Sequence, residues 1–139
     1  MIPFWHFVAS TALFLSLYPF FGISSALVYI SGWLIDIDHM FYYTFKFKSI
    51  NYFKARKYFS TLKPSRTKVM NIFHTAEVWF VMIVSSFFSR YALILTIGIV
   101  LHVIMDFIYQ AKVKKLKVRY HTLTGWIIDI IKRNKKQAL

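Results

Sequence analysis

The sequence predicts an all-α fold of the membrane type: four transmembrane helices in two hairpins, joined by a basic loop and followed by a basic tail. Three observations predict it. The 139 residues are 58% hydrophobic and 20% aromatic but only 17% charged, whereas soluble domains run near 45–50% apolar with about a quarter of residues charged. Residues 1–35 carry no charged side chain. The 18 Lys and Arg residues, Arg90 excepted, fall within two segments, 46–68 and 112–136. The length suits one domain. With no cysteine in the chain, a disulfide framework, a thiolate metal site and a thiol nucleophile are excluded.

As one helix, residues 1–35 would run about 52 Å at ~1.5 Å per residue, too long for a ~30 Å hydrocarbon core. Pro19, Gly22 and the Ser24-Ser25 pair supply a turn, so the reading is two antiparallel helices over 4–19 and 23–45, with Pro3 in the first turn of the first. A second hairpin follows over 69–89 and 91–111, turning at Ser89 and Arg90. No Lys or Arg precedes the first apolar run and no small-residue cleavage site follows it, which favours a span over a signal peptide. By the positive-inside rule the loop 46–68 and the tail 112–139 are cytoplasmic. Both hairpin turns then face out and both termini lie inside, in a multi-pass protein of the cell membrane.

Residues 1–111 are thus expected to form the transmembrane domain. The loop interleaves its bases with Phe47, Tyr52, Phe53, Tyr58 and Phe59, which reads first as a topology signal with an aromatic belt and second as a surface for anionic lipid; no nucleic acid partner is expected. In the tail, LTGWIIDII (123–131) is too short to span and suits a short interfacial helix, with Lys132 to Lys136 solvated. A bundle this small is a candidate for self-association into a homo-oligomer.

The five acids and five histidines carry the chemistry. His6 falls near the inner start of the first helix, and Asp36, Asp38 and His39 in the inner half of the second. His74 and Glu77 fall in the first turns of the third, and His102 and Asp106 in the inner half of the fourth. Four acids and four histidines therefore share one depth; His121 and Asp129 are left to solvent. A carboxylate at the centre of a membrane helix costs ~2.5–3.5 kcal/mol on insertion scales, and no Lys or Arg lies between Lys68 and Arg90 or between Arg90 and Lys112 to offset it. A cation from solution does so most simply.

Spacing agrees with this. Asp36 and His39 are i, i+3, His74 and Glu77 are i, i+3, and His102 and Asp106 are i, i+4, so each pair shares a helix face, as in helical di-metal bundles. The expected ligands are His6, Asp36, His39, His74, His102 and Asp106, holding one or two divalent ions, zinc first and manganese or iron next. Asp38 stands about 200° around a regular helix from Asp36. Either the helix is irregular there, or Asp38 faces the interface and pairs with the basic loop.

The string GWLIDIDHM, with a His on the preceding span and FHTAE and LHVIMD after it, resembles the membrane-bound metal-dependent hydrolases, whose bacterial members include the LexA-regulated type. The resemblance covers about residues 4–110 and is most specific at Asp36-Ile37-Asp38-His39 with His102 and Asp106. It implies a membrane bundle of four or more helices that binds divalent metal and hydrolyses an ester.

The expected function is accordingly a metal-dependent hydrolase at the cytoplasmic membrane face, acting on a lipid or other phosphoester, with Asp38 or Glu77 as general base or bridging carboxylate. Buried acids and histidines also line ion and proton pathways, so a transporter is the second reading. A membrane protein with a purely structural metal is the third.

Overall fold

The computed structural model describes residues 3–61, 68–113 and 120–137. Among them the fold is all-helical, with a lone backbone bridge where Tyr120 N–H donates to the carbonyl of Val69 at 3.1 Å. The helices are α1 (Pro3–Phe21), α2 (Leu27–Gly32), α3 (Ile37–Phe47), α4 (Tyr52–Thr61), α5 (Ala76–Ser86), α6 (Arg90–Lys112) and α7 (Leu123–Gln137). Two helical stretches, Phe4–Phe47 and Arg90–Lys112, are long and apolar enough to cross a membrane.

The first stretch folds back on itself. Helix α1 runs through Pro19 to Phe21, and the reversal falls at Gly22, whose φ of +56° is a left-handed conformation that costs a residue without Cβ little. A 3₁₀ segment, Gly22–Ala26, completes the turn. The two arms then pair antiparallel: Phe7 packs on Tyr29 and Trp33 at ring separations of 5.7 and 5.3 Å, and the Tyr29 hydroxyl donates to Thr11 Oγ1 at 3.2 Å.

The second arm, expected as one helix over 23–45, is interrupted. Helix α2 stops at Gly32, Trp33 leaves helical geometry at φ −124° and ψ −51°, Leu34–Asp36 forms a 3₁₀ turn, and α3 resumes at Ile37. It ends at Lys48, whose positive φ of 49° is a left-handed cap.

Helix α6 is the central element, packed against α2 on one side and α5 on the other. Ile94, Gly98, His102 and Asp106 recur every four residues and are all buried, so one stripe of α6 faces inward. The backbones of α2 and α6 approach closely where Gly32 meets Gly98: a Cβ on Gly98 would clash with the Ser31 side chain and stand 3.3 Å from the Gly32 nitrogen. Small residues at a crossing permit such an approach. Helix α6 begins at Ser89, whose hydroxyl accepts from Ala92 N–H at 3.5 Å.

The third segment departs most from expectation. A helix over 69–89 is predicted, but Asn71 and Thr75 are extended, Ile72–His74 is a 3₁₀ turn, and α5 spans only 11 residues. At ~1.5 Å per residue that is about 16 Å, roughly half of a hydrocarbon core. The Thr75 hydroxyl donates to the Ile72 carbonyl at 2.8 Å, stabilising the turn ahead of the helix.

The loop 46–68 also holds structure in its described part. Helix α4 folds back on α3, with Tyr58 against Tyr43 and Phe47, and Phe59 against Tyr42 and His39. Lys46 Nζ donates to the Tyr58 hydroxyl at 3.0 Å. Tyr58 and Phe59 therefore pack on the protein, whereas Phe47, Tyr52 and Phe53 remain exposed. In the tail, α7 runs beyond the predicted 123–131; Asp129, expected in solvent, accepts from Arg133 at 2.7 Å and from the Tyr120 hydroxyl. Those two donors hold its carboxyl below the usual range, and burial raises the Tyr120 phenol.

Candidate metal centre

The break after α2 positions the first pair of acids. In an unbroken helix Asp36 and Asp38 diverge; here Asp36 closes the 3₁₀ turn and Asp38 opens α3, and both reach the same pair of imidazoles. Asp36 Oδ1 lies 3.4 Å from His39 Nδ1 and 3.5 Å from His74 Nε2. Asp38 places Oδ1 2.7 Å from His39 Nδ1 and Oδ2 3.0 Å from His74 Nδ1. Asp38 is buried, so of the two sequence alternatives the irregular helix is the one observed, and no pairing of Asp38 with the basic loop is seen among the described residues.

The other members come from α1, the turn before α5, and α6. His6 and His102 are fully buried, their rings stacked with centroids 4.1 Å apart. His6 Nε2 is 3.3 Å from Asp106 Oδ1 and 4.0 Å from Asp36 Oδ2. His74 Nε2 is 3.8 Å from Asp106 Oδ2, and His102 Nε2 is 3.4 Å from Asp36 Oδ1.

Tautomers follow from the partners of the remaining ring nitrogens. His102 Nδ1 faces the Gly32 carbonyl at 3.0 Å. A carbonyl only accepts, so Nδ1 carries the proton and Nε2 presents a lone pair. His74 Nδ1 faces the Asp38 carboxylate, so the same holds for His74. The two Nε2 atoms are nevertheless 3.1 Å apart, with Asp36 Oδ1 within 3.5 Å of both. Three acceptors so placed repel one another unless a proton or a cation stands among them. Donors bound at ~2.0–2.2 Å to a tetrahedral ion stand about 3.3–3.6 Å apart, close to the separations found.

Two overlapping groups could hold an ion: Asp36, Asp38, His39 and His74, and Asp36, His74, His102 and Asp106. They share Asp36 and His74. In the first, the His39 and His74 Nδ1 atoms both face Asp38, and Asn71 Nδ2 lies 2.9 Å from His39 Nε2. An amide N–H donating there sends the imidazole proton to Nδ1, toward Asp38. In the second, the facing atoms of His74 and His102 are lone-pair nitrogens, and His6 adds a third imidazole beside Asp106. The second group therefore fits a metal as ligands, and the first fits as the hydrogen-bonded surround that orients them.

All six residues singled out from sequence as ligands, His6, Asp36, His39, His74, His102 and Asp106, meet at this centre together with Asp38. Glu77 does not. His74 precedes Thr75, whose ψ of 148° is extended, so the i, i+3 relation of His74 and Glu77 does not cross the helix start. The Glu77 carboxylate instead accepts from Leu123 N–H at 2.9 Å, from Thr124 N–H at 3.2 Å and from the Thr124 hydroxyl at 3.1 Å. It caps the N-terminus of α7, where orphan N–H groups and the macrodipole favour a carboxylate.

Residues that sequence reasoning missed support the centre from outside. Gly32 supplies the carbonyl that orients His102, Asn71 touches His39, and Gln110 Nε2 donates to Asp106 Oδ2 at 3.3 Å. Gly32 and Gly98 each lie four residues before a member of the centre, Asp36 and His102, which is a readable sign of close packing; Asn71 carried no such sign. Comparison with protein-family models, with curated proteins and with solved structures finds no match.

Proposed function

We propose that this chain is a membrane-embedded, divalent-metal-dependent hydrolase whose centre faces the cytoplasm. The observation that carries the reading is the pair of lone-pair nitrogens, His74 Nε2 and His102 Nε2, 3.1 Å apart beside the Asp36 carboxylate. His6, Asp36, His74, His102 and Asp106 hold one ion, in the reading proposed, and Asp38 and His39 orient the set. Imidazole and carboxylate donors in this number suit zinc, with manganese or iron as alternatives. When bound, such an ion acidifies water and polarises an ester oxygen. The chain's own groups do the rest: Asp38 holds the His74 proton at Nδ1, the Gly32 carbonyl holds that of His102, and Asp106 is the carboxylate nearest the open cleft and so best placed to accept a proton there. Glu77, bound to α7, takes no part.

The membrane setting rests on the two long apolar stretches and on an outward-facing apolar surface. Phe20, Phe87 and Phe88, at the hairpin ends, are 80%, 81% and 85% exposed. In this reading the hairpins supply four membrane elements, α5 entering only part way, with both termini cytoplasmic by the positive-inside rule. Helix α7, with Ile127, Ile128 and Ile131 exposed among Lys132, Arg133 and Lys135, lies on anionic lipid. These features agree with the resemblance to membrane-bound metal-dependent hydrolases. A transporter is disfavoured because, of the buried hydroxyls farther out among the described residues, Ser25, Ser31 and Thr96 serve nearby backbone carbonyls and Ser10 stands alone, which makes no continuous polar path.

Metal analysis of the purified protein is the direct test. The expected result is a stoichiometric divalent ion in the wild type that is lost in His102→Ala and Asp106→Ala. A wild-type protein purified without chelator and holding no stoichiometric ion overturns the proposal.

A further inference from the structure

Helices α3 and α4 meet in an elbow whose two faces differ in kind. The elbow is fixed locally: Asn51 Oδ1 accepts from the Lys54 N–H at 3.0 Å and so caps α4, and the Thr44 hydroxyl donates to the Ser49 carbonyl at 3.3 Å. Its inner face carries Ala55, Tyr58 and Phe59, spaced three and four residues apart. Ala55 is buried, and Tyr58 and Phe59 pack with Tyr42 against Val69. Lys46 joins that cluster, its Nζ 3.0 Å from the Tyr58 hydroxyl and 5.5 Å from the centre of the Tyr42 ring.

The outer face is bare. Ile50 and Phe53 are 82% and 78% exposed. Phe53 stands about 200° around α4 from Ala55, with the exposed Arg56 and Lys57 one turn on at i+3 and i+4. Lys46, Lys48 and Lys54 are exposed as well, and no acid occurs between Asp38 and Glu77 to offset these charges. On α3 the exposed apolar surface continues as a stripe, Ile37, Phe41 and Phe45, at intervals of four.

Large apolar side chains in water and uncompensated like charges are both unfavourable, and one surround relieves both. At the boundary of an anionic bilayer the apolar side chains enter the layer between headgroups and acyl chains, while the bases meet lipid phosphates. Each base near such a surface strengthens binding about fivefold. A nucleic acid would also meet the bases and stack on Phe53, but it has nothing for Ile50 or for the α3 stripe. That stripe belongs to the long apolar stretch Phe4–Phe47 and runs into the elbow without a break, which favours the bilayer itself.

The inner face bears on the centre. The Phe59 ring stands edge-on to that of His39 with centroids 4.9 Å apart, and His39 Nε2 lies 2.9 Å from Asn71 Nδ2. Helix α4 thus covers the His39 side of the hydrogen-bonded groups that orient the ligands.

Resting on the membrane reading for its setting, we infer that the α3–α4 elbow docks in the anionic headgroup layer of the membrane that the chain spans, and that this docking holds Phe59 over His39. Ile50 and Phe53 enter the layer, and Lys54, Arg56 and Lys57 meet lipid phosphates.

The test uses the full chain in vesicles of phosphatidylcholine alone and of phosphatidylcholine mixed equally with phosphatidylglycerol. An environment-sensitive fluorophore on Ile50→Cys reports the elbow. In the mixture its emission is expected to shift to the blue and to be quenched by lipids bearing a nitroxide near the headgroup; in phosphatidylcholine both effects are expected to weaken. The ratio of docked to free elbow is expected to fall about fivefold for each base removed among Lys54→Gln, Arg56→Gln and Lys57→Gln. Release of bound metal to a chelator is expected to be slower in the mixture, and Phe53→Ser to abolish that difference. Quenching that is the same in both vesicles and in the triple variant overturns the inference. So does an oligonucleotide bound through Lys54, Arg56 and Lys57 while the fluorophore stays in water. Lipid-dependent quenching with metal release indifferent to lipid overturns the link to His39. The quenching needs no metal, so a protein without a stoichiometric ion sinks the hydrolase reading and leaves the docking. Unquenched fluorophore in a protein with the two-hairpin topology sinks the docking alone.

Discussion

Asp38 is the residue whose role turns most on geometry. Its two oxygens face His39 Nδ1 at 2.7 Å and His74 Nδ1 at 3.0 Å; it accepts the His74 proton and so sets the lone pair at that ring's Nε2. A carboxylate in that place acts on the metal through a histidine, and loss of such a partner costs ~10–100-fold in metal affinity. Asp38→Asn is therefore expected to weaken zinc binding by about 10–100-fold and to keep the stoichiometry in excess zinc, read by competition with a chromogenic chelator. If Asp38→Asn removes the ion as completely as His102→Ala, Asp38 is itself a ligand. Gly32 acts at the same scale through its backbone: its carbonyl holds His102, and the missing side chain of Gly98 across the crossing lets α6 come near enough for that bond.

Two elements carry the arrangement: the α2–α6 crossing and the α5–α7 clasp. At the crossing, Gly98 sits against Ser31 and the Gly32 nitrogen, so a larger residue must separate the helices. Overpacking a tight contact typically costs ~1–3 kcal/mol, and Gly98→Val is expected to lower the melting temperature in detergent and to weaken metal binding, because Asp36 and His102 stand on opposite sides of the crossing. Melting with and without chelator checks both; a variant with unchanged melting and metal content refutes the packing argument. At the clasp, Glu77→Gln is expected to speed hydrogen exchange over 123–130 by weakening the cap on α7 while leaving the metal in place. Loss of metal without faster exchange would return Glu77 to the centre.

At the scale of the whole molecule, polar groups are inside and the largest aromatic side chains outside. His6, Asp38, His74, His102 and Asp106 are buried, whereas Phe20, Phe45, Phe87 and Phe88 are among the most exposed residues. That inversion suits a lipid surround and a site that must be shielded from it. The natural chain has no cysteine, so single introduced cysteines report topology without background. Ser24→Cys and Ser89→Cys are expected to react with an impermeant maleimide from outside the cell, and Lys54→Cys and Gln137→Cys only after permeabilisation. Labelling of all four from one side refutes the two-hairpin topology.

How much of this was legible in the sequence varies by element. Helix α6 matches its predicted span to within a residue at each end, because a long apolar run with an N-cap serine is a local signal. The second hairpin's short arm was not legible: an apolar run over 69–89 has the composition of a full helix, and only packing shows that 71–75 is spent on a turn that aims His74. Likewise the aromatic residues of the basic loop read as a belt, though α4 turns Tyr58 and Phe59 onto α3.

By itself the sequence determined which residues could meet. Rare acids and histidines in apolar helices, at spacings of three and four, are a local pattern with a known desolvation cost, so His6, Asp36, His39, His74, His102 and Asp106 could be named from it. The tertiary structure decided their orientation and division of labour. The break at Trp33 turns Asp36 and Asp38 to one centre, the Gly32 carbonyl and Asp38 place the imidazole protons, and α7 draws Glu77 away. The physical reason is that a lone pair's direction depends on the partner of the opposite ring nitrogen, and that partner lies 36 residues away for His74 and 70 for His102.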